Sequence, residues 1–190
     1  PEPLTCDNSA IKKLRDLLLQ SENPMIYTRY LGRNEKSFDE LVRLAELTGT
    51  PVFETPGYTN FPTDNPLHMG NNLGPYIKDT DLILVIDSSS WPPWYPPSSI
   101  RDQAGTRIIF IDPDPLQLKY PVYGYPSDLT IKADSQVAIK QLNELLETAN
   151  RDDEAIKIRK KLWAEEHRRI REGNKIEALA TKDKIPIDPK

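Results

Sequence analysis

Two short stretches constrain this chain most: "DLILVID" at 81–87 and "RIIFID" at 107–112. Each is apolar at consecutive positions. A strand with one wet face alternates apolar and polar residues; one that is apolar on both sides must be covered on both sides. Such strands belong to the middle of a parallel sheet with helices above and below. The rest of the chain fits that frame. "PMIYT" (24–28) and "PVFE" (51–54) are short strands of the same kind. "DLTIKA" (128–133) alternates and reads as an edge strand.

Helical patterns separate these strands. "NSAIKKLRDLLLQSE" sets Ile11, Leu14, Leu17 and Leu18 on one face, with Asn8 or Ser9 as N-cap. "SFDELVRLAELTG" places Ser37 three residues before Glu40, a capping box, and carries Phe38, Leu41, Val42 and Ala45 as its stripe. Gly49 ends it as a C′ glycine. "SQVAIKQLNELLETA" presents Val137, Ile139, Leu142, Leu145 and Leu146. Alternation of strand and helix predicts an α/β domain over 1–150: doubly wound, with a mostly parallel, Rossmann-like sheet of five or six strands. The sixth strand would lie in 115–125. A C-terminal linker helix follows, over 151–173, with Gly173 as its stop and Ile156, Trp163 and Ile170 as a narrow docking stripe. The expectation is an interdomain strut outside the core. Residues 174–190 read as a linker toward a further domain, and "PEPLTCDNSA" reads as an interdomain linker too, so that the sequence has the look of an excised piece of a longer protein.

Composition excludes several classes. The 190 residues are 37% hydrophobic and 28% charged, with net charge -4, so no global basic field draws the chain to nucleic acid or an anionic membrane. No run approaches the roughly 20 apolar residues of a membrane span. Cys6 is the only cysteine, which excludes an internal disulfide or a cysteine zinc site and suits a reducing cytoplasm. The chain lacks G-x-G-x-x-G, a P-loop and a G-x-S-x-G elbow. Its two histidines, His68 and His167, have no metal-ligand spacing, so no metal site is expected. His68 is the sole candidate base, against the plainer reading of a hydrogen-bonded loop residue; His167, among Glu165, Glu166, Arg168 and Arg169, reads as solvated helix surface. The bases over 157–171 are interleaved with acids and read as a solvated face.

In an open α/β sheet, ligands sit beyond the carboxyl ends of the strands. Those ends read "TRYLGR", "ETPGYTNFP", "IDSSSWPPWYPP" and "IDPDPLQ". Gly32 permits close approach or is only a turn. Arg29 or Arg33 would meet a phosphate. Asp112 would hold ribose hydroxyls or cap the Asp-Pro turn. Trp91, Trp94 and Tyr95 in the proline-stiffened loop form an active-site mouth or interface, or else pack back as a plug.

Taken in order, "NPLHMG" after "ETPGYTNFPTD", "YIKDTDLILVID", "RIIFIDPDP" and "DLTIKADSQVAIKQLNELL" resemble the central domain of thiamine-diphosphate-dependent enzymes over residues 8–148. The nearest flavour is acetolactate synthase-like, in which Trp-Pro follows the third strand as Trp91-Pro92 does here. The resemblance implies a parent enzyme acting on 2-keto acids as a transferase or lyase. It also implies thiamine diphosphate and magnesium held by other domains of the same polypeptide, and a homo-oligomer, dimer or tetramer, as the assembly. The fragment itself would be structural and not catalytic: the G-D-G motif is absent, and Asn71-Asn72 stands in the wrong context to complete one. Gly32, Met69, Gly70 and Asp112 match positions that contact FAD in acetolactate synthases. Against FAD, Asp87 replaces the glycine that ends "L-V-I-G" in the family, and the arginine expected next is missing. The alternative is a free-standing nucleotide-binding or subunit-interaction module of the same fold.

Overall fold

The structure, a computed structural model, describes residues 3–88, 105–115 and 127–181. Five strands form one parallel sheet: β1 Pro24–Thr28, β2 Val52–Glu54, β3 Leu82–Ile86, β4 Arg107–Asp112 and β5 Leu129–Lys132. Their order is β2-β1-β3-β4-β5, which makes β5 an edge. Ile26 pairs with Val52 on one side and with Leu84 on the other, so β1 and β3 flank the point where the order reverses. All five residues of β1 and of β3 are buried, the physical content of their two-sided apolarity.

Three helices cover one face: α1 Asn8–Gln20, α2 Glu35–Thr48 and α3 Ser135–Glu147. Ile11, Leu14, Leu41, Leu44, Ile139 and Leu142 meet Ile26, Leu84, Ile86, Ile109 and Ile111 there. The alternate positions of the same strands, Met25, Tyr27, Ile83, Val85, Ile108 and Phe110, build a second core on the opposite face. Leu17, Val42, Val137 and Leu145 are only half buried, whereas Leu44 and Ala138, absent from the predicted stripes, are fully buried.

Helix starts differ from the sequence reading by a residue or more. Asp7, not Asn8 or Ser9, caps α1 by accepting from the Ser9 amide at 2.7 Å. Asn34 caps α2 through the Lys36 amide, so Ser37 lies inside the first turn, buried, and forms no capping box. Asp7 sits beside Asn8 and Ser9, and Asn34 lies three residues before Ser37; all are good cap residues, and side-chain chemistry alone does not choose between them. Gly49 does end α2, at φ 66 and ψ 26. An added Cβ there would also stand 2.9 Å from the Ile156 carbonyl, so this glycine answers both a left-handed backbone and the approach of another helix.

That helix is α4, Asp153–Thr181, and it corrects two expectations. It runs straight through Gly173. It is also no detached strut, because its first half closes the second core. Trp163 stands edge-on to Phe53 and Tyr76, with ring centroids 6.5 Å and 5.3 Å away, and Ile170 packs on the same cluster. Arg159 donates to the carbonyls of Ser21 (2.9 Å), Glu22 (3.2 Å) and Thr48 (2.7 Å). These carbonyls lie at the carboxyl ends of α1 and α2, where a cation is favoured by the helix dipoles. Burial nonetheless pulls the Arg159 pKa down from its ordinary value. His167 is buried, contrary to the surface reading, and its Nδ1 donates to the His68 carbonyl at 2.7 Å. Toward its carboxyl end, residues 171–180 are exposed all round.

The outer edge of β2 is not bare. Val52 N–H donates to Leu67 O at 2.8 Å, Met69 N–H to Val52 O at 2.9 Å, and Glu54 N–H to Gly70 O at 2.9 Å. Residues 67–70 thus extend the sheet at the edge opposite β5 and blunt it. The stretch at 115–125 expected to hide a sixth strand falls, apart from residue 115, outside the described residues. Among the described residues no helix is long and apolar enough to cross a membrane.

Candidate functional site

The crevice at the reversal point lies beyond the carboxyl ends of β1 and β3. Asp87 follows β3 and is the only described non-glycine residue with positive φ, at 46. The left-handed backbone costs an L-residue roughly 1 kcal/mol, least for Asp and Asn. The family glycine that Asp87 replaces would adopt it freely. Asp87 thus holds at this bend a conformation that glycine adopts most readily.

That carboxylate is buried. It accepts from the Ser135 hydroxyl at 2.5 Å and faces the Arg33 guanidinium at 3.4 Å. Burial pushes the Asp87 carboxyl above the ordinary carboxylate range. The Ser135 hydrogen bond and Arg33 pull it back in part, and Asp112 and Asp134 raise it further. Asp112, at the end of β4, is likewise raised by burial, with the Asp114 amide and Arg33 acting against the rise. Ser135 opens α3, and Asp134 caps it through the Gln136 and Val137 amides. The amino end of α3 is where a phosphate would be welcome. Here Asp87 and Asp134 occupy it with the chain's own negative charge, and Arg33, 62% exposed, offsets little of it.

On the β1–β2 side the loops are tied together. The Gly32 amide donates to Asn60 Oδ1 at 2.9 Å, and the Asn60 amide to Glu54 Oε2 at 2.7 Å. Glu54 Oε1 accepts from His68 Nε2 at 2.9 Å, so His68 is the hydrogen-bonded loop histidine of the plainer reading. Arg29 lies over the rings of Tyr30 (4.8 Å) and Tyr58 (5.6 Å), a cation–π stack at the mouth of β1. Its Nε is buried with no hydrogen-bond partner among the described residues.

The four positions matched to flavin contacts are not gathered around one cavity. Gly32 and Asp112 flank Asp87, but the Gly32 amide is already used. Met69 is 2% exposed inside the second core, and Gly70, φ 67, lies beyond β2 at the sheet edge. Strand order puts β1 and β3 between β2 and β4. Trp91, Trp94 and Tyr95 lie outside the described residues. The Asp87–Ser135 pair, the Asn60–Glu54–His68 chain and the Arg29 stack went unforeseen. The signals for them were "ID" at the end of a buried strand and a lone histidine fourteen residues past a strand-end glutamate.

Among the described residues, the buried Asp87 carboxylate at the amino end of α3 works against a flavin diphosphate there. Nor do the described residues offer a diphosphate–magnesium site; among them no group of three or more His, Cys, Asp or Glu is placed to hold a metal. The aspartates make a testable statement. A carboxyl raised by burial contributes stability below its unfolded pKa and loses it as pH rises through the folded one. Asp87→Asn keeps a partner for Ser135 and tolerates the positive φ. It is expected to melt higher than the parent at pH 7, with the gain shrinking as pH falls toward 4. Melting curves across that range check it, and a variant that is less stable at pH 7 contradicts it.

Such a two-sided parallel sheet, with helices on both faces and its crevice at the reversal point, defines a doubly wound α/β domain of the nucleotide-binding architecture. More narrowly, residues 11–142 match the family model described as thiamine pyrophosphate enzyme, central domain, and the chain belongs to that family. Among solved structures it is similar to a Mycobacterium smegmatis protein whose assignment as a thiamin diphosphate-dependent enzyme is provisional: TM-score 0.64, 21% identity, 80% of this chain and 30% of that one. It is also similar to the benzoylformate decarboxylase of Polynucleobacter necessarius: TM-score 0.61, 23% identity, 75% of this chain and 28% of that one. This chain therefore spans less than a third of either. No curated protein sequence matches it.

Proposed function

We propose that the chain serves as the non-catalytic central domain of a thiamine-diphosphate-dependent enzyme acting on 2-keto acids. The observation that carries this is the family match over 11–142. Thiamine diphosphate and magnesium would be held by the other domains. The central domain would supply a rigid spacer whose carboxyl edge, with Trp91, Trp94 and Tyr95, faces them. Gly32, Met69, Gly70 and Asp112 correspond to flavin contacts in acetolactate synthases, but Asp87 argues for a cofactor-free version. An acetolactate synthase-like parent is supported by Trp91-Pro92 after β3. A 2-keto acid substrate is also in keeping with the benzoylformate decarboxylase likeness. Residues 1–150 form the domain in this reading, α4 leads toward the next one, and the assembly is a cytoplasmic homo-oligomer.

The purified 190-residue chain, supplied with thiamine diphosphate and magnesium, is expected to give no turnover of pyruvate. Carbon dioxide release or acetolactate formation above the protein-free rate would refute the non-catalytic role. The coding sequence beyond Lys190 tests the rest: a G-D-G … N-N domain is expected there.

A further inference from the structure

The half-buried side chain of Arg29, at the carboxyl end of β1, is held by aromatic rings alone. Its guanidinium lies over Tyr30 at 4.8 Å and Tyr58 at 5.6 Å, and those two rings meet edge to face at 5.1 Å and 80°. A cation–π contact is made to the charge and consumes no N–H as a hydrogen bond. A guanidinium carries five such donors in a planar fork. Among the described residues none of those of Arg29 is used, in a hydrogen bond or an ion pair, and its Nε is enclosed. A buried donor left unpaired destabilises a fold and calls for a reason. Arg33 shows the ordinary arrangement, because it faces the Asp87 carboxylate at 3.4 Å.

The surroundings hold the Arg29 head in place. The Thr55 amide donates to Thr28 O at 3.1 Å, and the Tyr58 amide to Thr55 O at 3.4 Å, so the turn that carries Tyr58 is pinned to the end of β1. The Tyr27 hydroxyl and Thr55 Oγ1 are 2.6 Å apart. Burial pushes the Tyr27 phenol up, and the Thr55 hydrogen bond and the Arg29 charge pull against the rise, so guanidinium and hydroxyl pair share one neighbourhood. Tyr58 is 43% exposed, which leaves part of an aromatic ring open beside the guanidinium. The Tyr30 amide donates to Asp87 O at 3.0 Å, which sets Arg29 next to the acidic crevice. A lone cation beside Asp87 and Asp112 suits a ligand with a single negative charge and works against a diphosphate.

We infer that Arg29 and Tyr58 form a binding site for a small organic carboxylate, with the Arg29 fork donating to both carboxylate oxygens and the open Tyr58 ring lying against the ligand's apolar body. Paired N–H bonds to a carboxylate are the strong, geometrically specific contact that a fixed guanidinium makes. The site goes beyond the central-domain reading, and its test uses binding rather than turnover, so the two fail separately. One charge pair and one ring place the dissociation constant on the order of millimolar.

Benzoate titrated into the isotope-labelled full chain is expected to shift the amide resonances of residues 28–30 and 55–58 saturably. Acetate should bind at least about threefold more weakly, because it has no apolar body for Tyr58 to cover. Arg29→Gln should weaken benzoate binding at least about tenfold, and Arg29→Lys nearly as much, since an ammonium lacks the planar fork. Tyr58→Ala should weaken it several-fold. Arg107→Gln, exposed at the opposite end of the sheet, should bind as the parent does. Melting curves establish that each variant is folded. The inference is overturned by the absence of a saturable shift at tens of millimolar benzoate, or by binding that survives both Arg29 substitutions. It is also overturned if Tyr58→Ala binds like the parent, if acetate binds as well as benzoate, or if inorganic phosphate binds more tightly than either.

Discussion

Trp163→Ala is expected to lower the stability of the chain by about 3 kcal/mol, the low end for removing a large aromatic from a packed site because the ring is only half buried. For a chain of this size that corresponds to a melting temperature lower by about 6–12 °C. The ring bridges both cores, packing against the first on one side and among Phe53 and Tyr76 of the second on the other. Its two edge-to-face contacts are geometries worth about 0.5–1.5 kcal/mol each beyond area burial. Trp163→Phe should recover part of the loss. Thermal and urea unfolding measure both variants. If the alanine variant melts within a degree of the parent, α4 is a detached strut after all.

Gly32→Ala is expected to be equally damaging for a different reason. A Cβ built on Gly32 would stand 2.0 Å from the Thr59 carbonyl oxygen and 3.1 Å from Asn60 Cα, both backbone atoms. No side chain can swing away to admit it. The 59–60 loop would have to move, and with it the Gly32–Asn60 and Asn60–Glu54 hydrogen bonds. About 3 kcal/mol is lost, the top of the usual range for overpacking. The same substitution at Gly173 is the control. No atom lies within 4 Å of a Cβ there, and the residue is helical, so alanine should be neutral or stabilising by up to about 1 kcal/mol. Denaturant midpoints for the two variants decide it. Equal stability at both sites would mean that Gly32 has room, and that its glycine is needed for something other than close approach.

The crevice beyond β3 carries the chain's own negative charge. Asp87 takes a positive φ and carries a buried carboxylate at the amino end of α3, bonded to Ser135. One residue thus supplies internally what a bound phosphate would otherwise supply. It does so at some cost in desolvation, as the raised Asp87 and Asp112 carboxyls record.

The sequence by itself determined the sheet. Apolarity on both sides of 82–86 and 108–111 admits only a covered, parallel arrangement, and alternation at 129–132 marks an edge. The left-handed stop at Gly49 was also legible, because the residue type and the conformation are tied by sterics at a single position. Tertiary structure decided which of several nearby cap residues is used, Asp7 over Asn8 or Ser9 and Asn34 over Ser37, where local chemistry is nearly degenerate. It decided that α4 belongs to the core: Ile156, Trp163 and Ile170 at seven-residue spacing make a stripe too thin to reveal its partner, and the partner, Phe53 with Tyr76, comes from distant segments. It decided, too, that His167 is buried and that His68 leans on Glu54. Periodicity reports only which side of an element avoids water; what stands against that side depends on contacts between residues far apart in the chain.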